Sequence, residues 1–180
     1  IGRKIDAEFF AVIRQTLAVA RHDRAVHQLG AKVQEERLIL TADLVQPAQG
    51  NVGQAVVGTL IFEQWKDDIA AIAENPNVVA KLGGLAMPDN GFQWHVTTLD
   101  TDAKPVTSDQ FVDAQGPYYR HTIECFGPDR CMFESNFPVD RWSLSYAVFW
   151  NACKKIAADF AAAEQVSMFS ATAERVYGLS

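Results

Sequence analysis

The sequence predicts an α/β fold in which parallel strands are covered by helices, and three observations carry that prediction. Short apolar runs of strand character alternate with longer segments whose apolar residues recur at three- and four-residue steps. The intervals between the runs suit helical crossovers, and such βαβ spacing implies a parallel sheet with right-handed connections. One run, Asn77 to Leu82, is apolar nearly throughout, as a strand covered on both faces requires.

Taken in order, Phe9, Phe10, Ile13, Leu17, Ala20 and Val26 mark an amphipathic helix from Asp6 to about Leu29, with Gly30 as its stop. Arg37 to Leu44 follows as a buried strand. Gln46 to Gly58, with Pro47, Gly50, Gly53 and Gly58, reads as a flexible stretch. Phe62, Trp65, Ile69, Ile72 and Ala73 lay out a second helix that ends at Asn75-Pro76, and Asn77 to Leu82 is the second strand. Gly83 to Pro105 is a long loop holding Met87, Pro88, Phe92, Trp94 and His95. Its length and aromatic content point to function rather than disorder. Thr107 and Gln110 have the spacing of a capping box, opening a helix that re-initiates at Pro117 and runs to Phe126. Arg130 to Phe133 is the third strand. Ser143 caps a helix bearing Leu144, Val148, Phe149, Cys153, Ile156 and Phe160, and a last helix carries Val166, Phe169, Ala173 and Val176.

Hydrophobic residues make up 48% and charged residues 21%, which suits one globular domain with a sizeable core. Sixteen Lys and Arg face 22 Asp and Glu, a net charge of -6, and the acidic excess lies after residue 50. Such a body argues against nucleic acid or an anionic membrane as partner. No apolar run reaches the length of a membrane span, and no apolar signal core follows Ile1-Gly2-Arg3-Lys4. Cys125, Cys131 and Cys153 are widely spaced with no C-x-x-C pair, which fits a reduced compartment and buried packing roles. A cytoplasmic location is the expectation. The chain opens on Ile1, so it is either processed or a piece of something longer.

The segment Asp129 to Asp140 concentrates the chemistry. A short apolar strand runs into Glu134, Ser135 and Asn136, just past the strand end, where parallel α/β folds gather ligands and catalytic groups. Phe137-Pro138 then forces a turn. Lys81 interrupts an apolar strand, so its amine either snorkels to water or acts as an electrophile or anion holder in a pocket. Asp140 and Arg141 are placed for a local surface ion pair. His22, His27, His95 and His121 show no metal-ligand spacing. His22 and His27 read as surface residues and His121 as structural. Trp142, Tyr146, Phe149 and Trp150 have helical spacing and read as core or subunit interface. Gly83-Gly84 lies in no phosphate-binding fingerprint, so no nucleotide cofactor is expected.

From about Phe62 to Leu179 the chain resembles the C-terminal part of the amidohydrolase-related family of metal-dependent hydrolases and decarboxylases, the group of aminocarboxymuconate-semialdehyde decarboxylase and the sugar lactonases. The resemblance is carried by Trp65, by Asn77 to Pro88, by the 129–140 segment, by Trp150-Asn151 and by Thr172 to Tyr177. It implies the C-terminal part of a distorted (β/α)8 barrel whose active site lies at the mouth formed by the strands' C-terminal ends. Asn77 to Leu82 then corresponds to strand seven and Arg130 to Phe133 to strand eight, so that Glu134 and Lys81 come within pairing reach. On this reading Asn136, Glu134 and Asp140 are the candidate catalytic residues, and Lys81, Met87, Trp94 and His95 line the substrate site, with the Trp94-His95 loop overhanging the mouth. Residues 1–55 form a helix-strand segment that matches the family poorly, and residues 56–180 the barrel's C-terminal βα units.

Two departures shape the functional expectation. Only three βα units are clear where a full barrel takes about 250 residues, and no H-x-H pair is present, so the chain reads as a truncated barrel. Asn136 stands where many relatives have a strand-eight aspartate, and a carboxamide is neither a general base near neutral pH nor a good metal ligand. Likewise, Ala42 and Asp43 are nearest the place of a strand-six histidine. The expectation is an amidohydrolase-like hydrolase acting on a small lactone, amide or carboxylate substrate by activated-water attack. The alternative is a non-catalytic truncated barrel that serves as a binding or assembly module. A divalent metal, zinc or manganese, is implied for the intact barrel, weak or absent in this chain, and open sheet edges imply self-association.

Overall fold

Four strands pair into one sheet in the order β1 (Gly30–Gln34), β2 (Arg37–Thr41), β3 (Val78–Leu82) and β4 (Cys131–Phe133). The computed structural model describes residues 30–34, 37–41, 52–87, 92, 94, 95 and 104–179. The expected helix over Asp6 to Leu29, the end of the expected strand at 42–44, Gln46 to Gly50, Pro88, His22 and His27 lie outside the described residues. The β2–β3 and β3–β4 pairings are parallel, as the alternation of strands and helices requires. Helix α1 (Val52–Ala73) crosses from β2 to β3, and helix α2 (Ser108–Phe126) from β3 to β4. Helix α3 (Tyr146–Ala157) follows, and α4 (Ala162–Val166) and α5 (Thr172–Tyr177) are joined through a π-helical turn at Ser167–Ala171.

Several elements differ from the sequence expectation, each for a local reason. Strand β1 pairs antiparallel with β2, so the sheet is mixed, and Gly30 opens a strand. Only two residues separate β1 from β2, a hairpin's spacing, and the five-residue run Gly-Ala-Lys-Val-Gln is too short and weakly apolar to announce itself. Helix α1 begins at Val52, inside the stretch read as flexible, and absorbs Gly53 and Gly58 despite a cost near 1 kcal/mol for each interior glycine. Its sequence is otherwise rich in helix-compatible apolar residues. Helix α2 runs through Pro117 without re-initiating. Pro117 and Asp113, whose carbonyl loses its helical donor, are both exposed, so the gap faces water.

The ends of the elements also shift. The Thr107–Gln110 capping box forms as its spacing predicts, with Gln110 N donating to Thr107 Oγ1 at 3.2 Å and Thr107 N to Gln110 Oε1 at 2.9 Å. The cap of α3 is Ser145 rather than Ser143, its hydroxyl accepting from Val148 N at 3.2 Å. Leu144 therefore precedes that helix, and Phe160 lies beyond its end. Arg130 belongs to a 3-10 turn, Pro128–Arg130, and the strand starts at Cys131. Its guanidinium explains why. Nη2 donates to Ala73 O at 2.9 Å, Nη1 to Asn75 O at 2.9 Å, and Nε to Phe126 O at 2.9 Å. One side chain thus satisfies carbonyls orphaned at the ends of α1 and α2.

Alternation along the strands sorts residues onto two faces. Val78, Ala80, Leu82, Cys131 and Phe133 join the main core with Ile69, Phe111, Tyr119, Ile123, Phe149 and Ile156 from the covering helices. Val79 and Met132 form a separate cluster on the opposite face, where Ala173 and Val176 of α5 pack against them. The C-terminal segment is anchored near the start of β4: the carbonyl of Asp129 accepts from Thr172 Oγ1 at 3.1 Å and from Arg175 Nη2, and Asp129 Oδ1 accepts from Ser167 Oγ at 2.7 Å. Among the described residues no helix is long and apolar enough to cross a membrane.

Candidate functional site

Parallel strands β3 and β4 end side by side, with Lys81 opposite Met132 and Leu82 opposite Phe133. Lys81 shares the face of Val79, and Glu134 continues the parity of Met132, so both side chains leave the face that carries α1 to α3. The Lys81 Nζ and a Glu134 carboxylate oxygen form an ion pair there, with side chains 25% and 20% exposed. A half-buried lysine in an apolar strand needs such a partner, since an unpaired ammonium in that position would forfeit its hydration. The pair is backed closely by the chain itself: a Cβ on Gly83 would collide with Glu134 Cγ and the Glu134 carbonyl, so only glycine lets the two strand ends approach.

The turn beyond β4 holds the other two candidate catalytic residues. Asn136 takes φ 48°, the left-handed region that asparagine tolerates better than most side chains, and the Phe137-Pro138 peptide is cis. Asn136 Nδ2 donates to Asp140 Oδ1 at 2.9 Å, and Asp140 N donates back to Asn136 O at 3.3 Å. Asp140 is fully buried, in the 3-10 turn Val139–Trp142, so it is not the surface partner of Arg141 that the sequence allowed. Buried acceptors require donors, and the carboxamide of Asn136 supplies one where a second carboxylate would repel. Among the described residues no three His, Cys, Asp or Glu side chains converge as metal ligands. Glu134 is paired with Lys81, whereas Asp140 gives only Oδ1 to Asn136 and keeps a buried Oδ2 outside any hydrogen bond among the described residues; with no further ligand converging on it there, no step below passes through a metal.

The remaining predicted substrate contacts are less concentrated. Met87 is half-buried in the turn after β3, its amide donating to Gly84 O at 3.3 Å. Trp94 stacks on Phe92 and Phe111, with centroids 4.9 and 5.9 Å away, and so belongs to the edge of the core. His95 is half-buried with a buried Nδ1 that has no hydrogen-bond partner among the described residues. Neither Met87 nor His95 hydrogen-bonds or ion-pairs with Lys81 or Glu134 among the described residues. His121 is structural as read, its Nε2 lying 3.0 Å from Lys66 O and 3.4 Å from Cys125 Sγ. Trp142 and Tyr146 are exposed, Phe149 is buried, and Trp150 packs edge-on against Tyr146 and Phe149.

Sequence reasoning missed Tyr119. Its ring stacks on Phe133 at 6.4 Å, its hydroxyl is buried without a partner among the described residues, and burial, with Cys153, Asp140 and Glu134 adding, holds the phenol well above its ordinary range. Both candidate carboxylates are therefore close enough to act on it electrostatically. Nothing in the sequence separates this tyrosine from Tyr118 beside it, which is also buried but packs on Phe62 and Trp65 instead.

Comparison with known proteins agrees with this architecture. The amidohydrolase family model matches residues 50–179. An uncharacterised protein, y4mH, of Sinorhizobium fredii is 35% identical over 145 residues, 79% of this chain and 43% of its own. The L-fucono-1,5-lactonase of Burkholderia multivorans is 29% identical over 117 residues, 64% of this chain and 36% of its own. A crystal structure of an amidohydrolase from Burkholderia multivorans with bound zinc superposes with a TM-score of 0.57 at 22% identity, over 94% of this chain and 49% of that one. The chain thus spans less than half the length of each of these relatives.

Proposed function

The chain belongs to the amidohydrolase family, and on that premise we propose that the whole protein is a (β/α)8-barrel hydrolase that opens a small lactone, amide or carboxylate substrate. The observation that carries this reading is the Lys81–Glu134 pair at the C-terminal ends of adjacent parallel strands, the place where such folds do chemistry. Glu134 takes a proton from water as the water oxygen bonds to the substrate carbonyl carbon. Lys81, released from the neutralised carboxyl, holds the resulting oxyanion. Collapse of the tetrahedral adduct breaks the ring C–O or the amide C–N bond, and Glu134 returns its proton to the departing oxygen or nitrogen. Tyr119 stands behind the strands as a neutral phenol throughout.

The lactonase among the relatives supports hydrolysis as the reaction class, and the zinc in the related crystal structure supports a divalent metal in the whole protein. A second reading keeps one specific observation on its side: Asn136 binds Asp140 where the resemblance implies a strand-eight aspartate, as in a barrel that has become a binding or assembly module. Proton release from aldono-1,5-lactones and aryl amides distinguishes the two. Turnover by the chain that is lost in Glu134→Gln supports the hydrolase. Turnover that is absent in both the chain and its whole parent supports the module.

A further inference from the structure

Beside the Asn136–Asp140 turn lies a cavity of about 550 Å³ that no step above uses. Pro105 closes one side, and the rest of the wall, from Phe137 and from Arg141 to Tyr146, begins one residue on from each end of the Asn136–Asp140 hydrogen bond. The apolar side is built: Phe137 and Tyr146 meet edge to face with centroids 5.1 Å apart and rings at 87°. The polar side is unusual. Arg141 is exposed on one wall, with no carboxylate salt-bridged to it among the described residues, although the turn places it next to Asp140. Ser143 is 4% exposed yet lines the cavity, and no donor or acceptor among the described residues meets its hydroxyl. With the residue otherwise buried and its oxygen open to the cavity, that hydroxyl is available to a ligand there. Ser145, the cap of α3, sets the first amides of a 12-residue helix at the same rim, where helix geometry leaves N–H donors unpaired and favours negative charge.

A cation, a hydroxyl open to the cavity and a helix start around an apolar wall share one chemical complement. We propose that this cavity is a binding subsite for a carboxylate carried on a ring or short apolar body, its oxygens taken by the Arg141 guanidinium and the Ser143 hydroxyl and its body laid against Phe137 and Tyr146. Arginine offers a planar fork that matches a carboxylate, and a cavity of this size accommodates a small acid. The inference rests on the hydrolase reading and deepens it: the substrate is an anionic acid derivative whose carboxylate is held beside the turn.

The test needs no turnover. Benzoate and its neutral counterpart benzamide are titrated into the full chain and followed by calorimetry and by shifts in the Phe137 and Tyr146 ring resonances. Saturable benzoate binding, with benzamide at least about tenfold weaker, is the expected result. Arg141→Gln should abolish the preference, and Ser143→Ala should weaken benzoate alone. Glu134→Gln, which removes the base and touches no wall of the cavity, should leave benzoate binding in place, so that loss of hydrolysis and loss of the subsite register separately. Equal binding of the two probes, or benzoate binding indifferent to Arg141→Gln, overturns the proposal. Arg141 is exposed, so its replacement does not threaten folding.

Discussion

Asn136 donates its carboxamide to the fully buried carboxylate of Asp140 at 2.9 Å, and Asp140 returns its amide to the Asn136 carbonyl, so the two residues close the turn after β4 on each other. Asn136 is here a structural donor. Asn136→Asp should therefore destabilise, because it faces one buried carboxylate with another. In the folded variant one of the two is held protonated above its ordinary range, so the folded state binds that proton more tightly than the unfolded chain does. The sign follows: the deficit relative to the parent is largest near neutral pH and shrinks as pH falls through about 4. Asn136→Gly, which keeps the backbone conformation and loses the donor, should cost about 1–3 kcal/mol at any pH. Denaturant unfolding at several pH values checks both; a pH-independent deficit in Asn136→Asp would mean that Asp140 does not meet the new charge.

Gly83→Ala is expected to damage the site through packing alone. The added methyl would have to enter the space of Glu134 Cγ and its carbonyl, which are held by the sheet. Overpacking of this kind costs about 1–3 kcal/mol, and it should push Glu134 away from Lys81. Unfolding measurements with a crystal structure of the variant test this; unchanged stability would show that the strand ends are looser than the geometry says.

Three buried acids make the fold sensitive to base. Burial lifts the Cys131 thiol to about 12, lifts Cys153 further, and lifts the Tyr119 phenol well above 10.0. In the unfolded chain the thiols ionise near 9.0 and the phenol near 10.0. Between those values and the folded ones the unfolded state binds fewer protons, so stability is full below about pH 9 and falls as pH rises, by up to about 1.4 kcal/mol per pH unit for each group. Cys131→Ala should flatten that alkaline slope. Native alkylation at pH 8 should also spare Cys131 and Cys153, since a thiol so held is unreactive; rapid modification of either would contradict their burial.

Much of the fold was legible in the chain, and the misses are instructive. Val78 to Leu82 and Cys131 to Phe133 were visible as strands because short apolar runs flanked by turn residues have few other uses. The Thr107–Gln110 box was visible because its chemistry is local. The β1 hairpin was not, since five residues of mixed polarity carry no period strong enough to outvote a preceding helix signal. Ser145 outcompeted Ser143 as cap because Asp140 and the 3-10 turn draw Ser143 inward, a tertiary effect. At the site, the reach between Lys81 and Glu134 followed from strand adjacency. The burial of Asp140 and the inward turn of Tyr119 did not, because both depend on how α2 and the cis turn pack on the sheet.

The residues described here supply no converging set of metal ligands. Dialysis of the 180-residue chain against zinc followed by elemental analysis should find well under one equivalent, because tight zinc sites need several converging ligands at about 2 Å. A full equivalent lost on Asp140→Asn would reassign that carboxylate as a ligand.

If Lys81 and Glu134 act as a unit on the substrate carbonyl, a double-mutant cycle in the whole protein reveals it. Turnover of an aldono-1,5-lactone is measured for the parent, Glu134→Gln, Lys81→Met and the double variant. If base and oxyanion holder serve one step, each single change should lower kcat by about 10²-fold or more, and the double variant should be little worse than the poorer single one. Single variants that retain parental kcat, or two losses that multiply independently, would contradict it.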